Sequence, residues 1–131
     1  MGREYSPAPM ADRPSQAPAN FLVVLVTVPD VDRAESIARA LLEQRLAACV
    51  SRVGPLRSLF RWEGKIDAAD EQLLLIKTRA ELFEPLRAAV AKLHPYQVPE
   101  IVALPLAAGA DSYLAWLARE TGPDPAPDRS S

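Results

Sequence analysis

Two kinds of hydrophobic pattern alternate along the chain. Continuous or period-two apolar runs, which are typical of strands, cover four segments: Phe21 to Val28, a long segment starting near Ala48, about Glu71 to Lys77, and Val98 to Leu104. Gly64-Lys65 predicts a turn between the second and third strands, because glycine tolerates positive φ. These two strands therefore form a predicted long hairpin.

Apolar residues at helical spacing predict three helices between and after these strands. The first begins at Asp30 or Asp32 as N-cap and ends near Leu46. The second has a strong start signal, because Thr78 and Glu81 have the spacing of a capping box. A short third helix follows the fourth strand and completes the pattern.

The predicted order βαββαβ, with an extra C-terminal helix, indicates an α+β fold of the ferredoxin-like, split-βαβ type. Such a fold has one antiparallel sheet with two helices on one face. The other face of the sheet is open, and Leu56, Phe60 and Trp62 are large side chains expected on it. An exposed apolar sheet face favours association, so we expect a homo-oligomer.

Composition divides the chain into one domain and two tails. Residues 1–19 and 122–131 are rich in proline and polar residues, which predicts disordered tails around a single domain at 20–121. The formal net charge of -2 argues against a general nucleic-acid binder, and no basic run suggests a membrane-surface site. One cysteine and no apolar signal segment favour a cytoplasmic protein.

Four segments resemble the CutA family of divalent-cation tolerance proteins. They lie in the same order and spacing as in that family: Arg45–Val50 (RLAACV), Phe60–Ile66 (FRWEGKI), His94–Ile101 (HPYQVPEI) and Tyr113–Leu117 (YLAWL). The resemblance covers about residues 21–121. It implies a homotrimer whose long hairpins pair between subunits, a fold and assembly like those of PII regulatory proteins, and binding of copper or another divalent cation in metal tolerance.

The candidate metal ligands are Cys49, His94 and Glu100. Thiolates favour copper(I) and zinc, and imidazole suits copper and zinc. Each residue also has a structural interpretation: Cys49 packs as a small apolar side chain, His94 ends a helix with its ring toward the last carbonyls, and Glu100 forms an ion pair. One subunit offers one cysteine and one histidine, so a metal site is expected between subunits or with added carboxylates.

The candidate cleft residues are Trp62, Lys77 and Tyr96, which can line a ligand-binding surface. Their structural interpretation is an ion pair for Lys77 and interface packing for the two aromatic residues. The acidic residues near the hairpin are expected to form a solvated face: Asp67, Asp70 and Glu71.

Two other functions stay open beside a metal-binding trimer. A PII-like module would bind a small anionic ligand in the intersubunit cleft through basic residues: Arg57, Arg61, Lys65 and Lys77. A structural trimeric scaffold would bind no ligand. An enzyme is not expected, because no nucleophile–base pair, paired catalytic carboxylates or complete metal motif stands out.

Overall fold

The computed structural model describes residues 14–15 and 20–123. Most of the two predicted disordered tails lies outside these residues, so that disorder stays a prediction. The elements, in chain order, are β1 (Pro14–Ser15), β2 (Phe21–Val28), α1 (Val31–Glu43), β3 (Cys49–Trp62), β4 (Lys65–Arg79), a 3-10 turn (Ala80–Leu82), α2 (Phe83–Leu93), β5 (Ile101–Pro105), β6 (Gly109–Ala110) and α3 (Asp111–Arg119).

The main sheet has four antiparallel strands in the order β3-β4-β2-β5, and β1 pairs separately with β6. In the central strand β2, Val24 lies opposite Ile76 of β4 on one side and Ala103 of β5 on the other. The predicted α+β, ferredoxin-like fold is confirmed, including its long hairpin and its extra C-terminal helix α3.

The core lies between the sheet and the helices α1 and α2. Alternate residues of β2 point to this side, and Val24, Val26 and Val28 are fully buried. They pack in one cluster with residues from the neighbouring strand and both helices: Leu74, Ile76, Ile37, Leu41, Leu86 and Val90. The apolar residues at helical spacing therefore face the sheet, as expected for amphipathic helices.

The other face of the sheet is apolar and largely uncovered within one chain; we call it the open face. By strand alternation and cross-strand register, it carries Val23, Leu25, Val53, Leu73, Leu75, Val102 and Leu104. The register of the hairpin places Leu56, Phe60 and Trp62 on the same side, as predicted. At one end, α3 covers Phe21 with the buried residues Leu114 and Leu117. Beyond that end, Val53, Val102 and Leu104 are about half exposed in the single chain.

The helix starts and ends differ in part from the predictions. Asp30 does cap α1, accepting a 2.8 Å hydrogen bond from the Arg33 backbone N–H. The helix ends at Glu43, before Leu46, because Arg45 adopts a left-handed φ of 58°. The predicted cap at Thr78 is wrong: this residue is buried within β4, and its hydroxyl donates to the Leu46 carbonyl at 2.7 Å.

The hairpin is longer than predicted, and its turn lies one residue earlier. β4 begins at Lys65, six residues before the predicted start at Glu71. Glu63 and Gly64, with φ of 49° and 79°, form the turn, which matches the twist of two-residue hairpins. The fourth main-sheet strand begins at Ile101 rather than at the predicted Val98, since proline at position 99 donates no backbone hydrogen bond.

Two arginines hold the end of α3. Arg45 donates from Nε to the Gly122 carbonyl at 2.7 Å and from Nη2 to the Arg119 carbonyl at 2.6 Å. Arg79 donates to the Thr121 carbonyl at 2.9 Å and to its hydroxyl at 2.8 Å. The Gly122 N–H returns a 2.8 Å bond to the Arg45 carbonyl. The end of α3 is therefore tied to the loop between α1 and β3 and to the end of β4.

We expect Gly122→Ala to destabilise the fold more than Gly64→Ala. Both glycines have left-handed φ, of 85° and 79°, so alanine costs about 1 kcal/mol at either position. A Cβ at position 122 also collides with the Arg79 guanidinium, whereas nothing lies near one at position 64. Urea unfolding would then show a loss of about 2–3 kcal/mol for Gly122→Ala. Equal losses of unfolding free energy for the two variants would contradict the role of Arg79 in holding the end of α3.

Candidate functional site

A groove of about 490 Å³ runs between the hairpin and the loop that follows α2; we call it the hairpin groove. Its lining is Phe60, Trp62, Asp67, Ala69, Pro95, Tyr96, Gln97 and Val98. The register of the hairpin explains one wall, because Phe60 lies opposite Asp67 and Trp62 opposite Lys65 on a single face. The loop residues 95–98 supply the other wall.

A second depression of about 480 Å³ adjoins this groove and shares Phe60, Tyr96 and Val98 with it. Its further lining is Thr27, Ser58, Leu59, Glu71, Pro99 and Glu100. The two depressions together form a continuous concave surface at the base of the hairpin. Carboxylates from β4 and from the loop before β5 border it.

Glu71 is the buried carboxylate beneath this surface and is only 5% exposed. Its two oxygens accept hydrogen bonds from the Ser58 hydroxyl at 2.7 Å and the Tyr96 hydroxyl at 3.0 Å. The predicted solvated face is therefore wrong for Glu71, although Asp67 and Asp70 are exposed. Hydroxyl donors from β3 and the loop satisfy a carboxylate that burial would otherwise penalise.

Burial and the neighbouring carboxylate of Glu71 both raise the pKa of Tyr96. The pKa of the Tyr96 hydroxyl is raised to about 12, chiefly by burial and next by its hydrogen bond to Glu71. The negative charges of Glu71 and Asp30 contribute to this rise, and the positive charge of Arg33 opposes it. The phenol is therefore a proton donor to Glu71 throughout the physiological pH range.

His94 anchors the loop from below and is 8% exposed. Its Nε2 lies 2.7 Å from the Thr27 carbonyl, which can only accept, so Nε2 carries the proton. Its Nδ1 accepts a 3.2 Å bond from the Tyr96 backbone N–H, and the two rings lie 4.8 Å apart. Both ring nitrogens of His94 are thus hydrogen-bonded. The ring was expected to face the last carbonyls of the preceding helix, but it contacts a carbonyl of β2 instead.

The three candidate metal ligands lie apart within one chain. Cys49 is half-buried on the open face, opposite Lys77 of β4. His94 contacts Thr27 of β2, which pairs with Leu73 of β4. Leu73 lies four residues from Lys77, the residue opposite Cys49, which is about 13 Å along the strand. Glu100 is exposed beside the second depression. Among residues 14–15 and 20–123, no three His, Cys, Asp or Glu residues gather in a metal-binding cluster.

The structure brings together two of the three candidate cleft residues. Trp62 and Tyr96 line the hairpin groove from opposite walls. Lys77 lies away from it, and its Nζ donates to the Ser51 hydroxyl at 3.0 Å. The sequence reading missed Ser58, since only the register of the hairpin places its hydroxyl against Glu71.

In the described part of the chain, no helix is long and apolar enough to cross a membrane.

We expect Glu71→Gln to lower the pKa of Tyr96 from about 12, without restoring the ordinary value of 10.0, because burial is the largest cause. The folded chain holds this proton more tightly than the unfolded chain. The associated stability is therefore complete below the unfolded pKa and lost as pH rises toward about 12. Ultraviolet titration of phenolate measures the shift, with Tyr96→Phe identifying the transition. An unchanged pKa in Glu71→Gln would exclude coupling between the two groups.

Comparison with known proteins places this geometry in a family. The family described as CutA1 divalent ion tolerance protein matches residues 22–120. The divalent-cation tolerance protein CutA of Thermus thermophilus is 53% identical over 100 residues, covering 76% of this chain and 97% of that protein. The CutA protein of Pectobacterium atrosepticum is 41% identical over 108 residues, covering 82% and 96%.

Solved structures agree with the sequence comparison. The Thermus thermophilus CutA1 structure superposes with a TM-score of 0.77 at 52% identity, covering 78% of this chain and 99% of that one. CutA from Synechococcus elongatus gives 0.78 at 33% identity, covering 84% and 96%. The long hairpin, the His-Pro-Tyr loop anchored by buried His94, and these matches together show that the chain belongs to the CutA1 divalent ion tolerance protein family.

Proposed function

We propose that this chain forms a cytoplasmic homotrimer that binds divalent metal ions, copper among them, and has no enzymatic activity. Family membership gives the chain a role in divalent-ion tolerance. The uncovered apolar face of the sheet is the observation that carries the proposed assembly. The subunit number and the choice of copper rest on the family resemblance of the sequence motifs.

The open face has the chemistry of a subunit interface. Its centre is formed by Leu25 and Leu75, which lie directly opposite each other, with Val102 beside them on β5. Each Å² of such surface removed from water contributes about 25 cal/mol, so a partner subunit is the natural cover. The outer edges of the sheet, β3 and β5, also leave backbone groups free of a strand partner in the main sheet.

The separation of the candidate ligands favours metal sites shared between subunits. Transition-metal sites usually need three or four ligands, and one chain brings no such set together among its described residues. Cys49 lies on the open face, so association through that face brings more than one thiol into the same interface. Exposed Glu100 is free to ligate, whereas His94 must first give up a hydrogen bond.

A ligand-binding regulatory module is the second candidate function. The hairpin groove supports it, because Trp62 and Tyr96 converge there in a concavity of about 490 Å³, a size typical of small-molecule sites. This function needs no metal, so it is separable from the first by experiment.

We expect Leu75→Asp to convert the trimer to monomers, because it places a charge at the centre of the open face. Light scattering after gel filtration measures the mass. Leu42→Asp is the matched control, since Leu42 is 40% exposed on α1, away from this face. The control should keep the mass of three chains. A wild-type chain that runs as a monomer, or Leu75→Asp that keeps three subunits, would refute assembly through this face.

We expect calorimetric titration with copper and zinc to show saturable binding at a fixed metal-to-subunit ratio. Cys49→Ser and Glu100→Gln should each weaken it at least about tenfold, as loss of a ligand requires. His94→Ala, which also frees the loop, should weaken it as well. Asp32→Asn, an exposed carboxylate in the first turn of α1, is the control and should change nothing. Heat that does not saturate, or that survives these substitutions, would refute the ligand assignment.

A further inference from the structure

Three aromatic side chains and a carboxylate converge in the hairpin groove. Phe60 and Trp62 lie two residues apart on one face of β3, and they remain 39% and 41% exposed. Tyr96 and Pro95 face the same groove from the loop, and Asp67 lies directly opposite Phe60 on β4. We propose that this groove binds small organic cations of the alkylated ammonium class, such as quaternary amines.

The aromatic lining favours a cation of low hydration. The face of an aromatic ring carries partial negative charge, and a cation held over it is attracted electrostatically. Sites built from several rings are typical for quaternary ammonium groups, whose methyl shell also gains from apolar contact. Phe60, Trp62 and Tyr96 supply the rings, while Pro95 and Val98 supply the apolar contact.

The charges around the groove select the same class of ligand. Asp67 is exposed within it, with Oδ1 accepting from the Ala68 backbone N–H at 2.8 Å. Glu71 and Glu100 line the adjoining depression. The carboxylates of this concave surface attract a cation and repel an anion.

Among the described residues, no lysine or arginine lines the groove itself. Arg57 points to the other face of the hairpin, where it pairs with Asp70 at 3.3 Å. Lys77 contacts Ser51 on the open face. Lys65, opposite Trp62, borders the neighbouring hollow and lies outside the lining of the groove. An anionic ligand would therefore meet mainly like charge here.

None of the three candidate metal ligands lines the groove itself, although Glu100 borders the adjoining depression. Within the described residues no set of metal-binding side chains forms here, and Cys49 and His94 do not line the groove. A volume of about 490 Å³ accommodates a molecule of several carbon atoms rather than a bare ion. Binding of an organic cation should accordingly persist when metal ions are removed by a chelator.

The test uses choline as the probe, on the full chain in its native assembly with chelator present. The chain has two tryptophans, so Trp116→Phe leaves Trp62 as the fluorescent reporter of the groove. We expect choline to change this emission saturably. The uncharged isostere of choline, in which carbon replaces nitrogen, should bind at least about fivefold more weakly.

Substitutions then separate charge from shape, with binding measured by equilibrium dialysis. Asp67→Asn keeps the side-chain shape and should weaken choline about two- to fivefold, and Trp62→Leu should weaken it at least as much. Asp70→Asn is the matched control, because Asp70 is an exposed carboxylate on the opposite face of the same strand.

Each contrary result overturns the proposal. Equal affinity for choline and its isostere would mean that the groove recognises apolar shape only. An equal effect of Asp67→Asn and Asp70→Asn on choline affinity would mean that the overall negative charge of the hairpin, and not Asp67 in the groove, attracts the cation. Absence of choline binding in the wild-type chain would reject the site directly. None of these results depends on the outcome of the copper and zinc titrations, since the chelator removes metal from every sample.

Discussion

The register of β4 is the constraint on which the rest of the structure depends. This single strand runs from the hairpin turn to the end of the core and pairs with β2 and β3 on its two sides. Its even-numbered residues, such as Ile76, enter the core, and its odd-numbered residues, such as Glu71 and Leu75, face the opposite side. A slip of one residue would exchange the two sets, burying a carboxylate in the apolar core. The same strand ends in Arg79, which holds the last turn of α3.

The loop after α2 is held to that frame by polar contacts. His94 ties the loop to the end of β2, and Tyr96 ties it to Glu71 on β4. Each buried polar group has a partner of matching hydrogen-bonding type, which offsets the cost of removing it from water. These contacts position Tyr96 opposite Trp62, so the hairpin groove exists only because the loop and the hairpin are fixed to the same strands. Folding and site geometry therefore share the same interactions.

The side of the sheet away from the core presents two regions of different chemistry. The open face is apolar and broad, with Leu25 and Leu75 at its centre, and its chemistry fits a protein partner. The hairpin groove is concave, aromatic and acidic, and its chemistry fits a small cation. The candidate metal ligands belong fully to neither, with Cys49 on the first region and Glu100 at the margin of the second. The proposed assembly therefore rests on the first region and the proposed binding of an organic cation on the second.

The sequence by itself determined the fold class, the four main strands, the three helices and the family, because hydrophobic period and motif order are local properties of the chain. It also pointed to Trp62 and Tyr96 as groove residues. The helix start at Thr78 and the beginning of β4 were both misplaced. The spacing of a capping box also occurs in strands, and a polar strand segment looks like a loop in the sequence. Only the tertiary structure decided that Glu71 is buried, that both ring nitrogens of His94 are occupied and that Lys77 lies away from the groove. Except for the bond from the Tyr96 N–H to His94, these properties arise from contacts between residues distant in sequence, which no local pattern records.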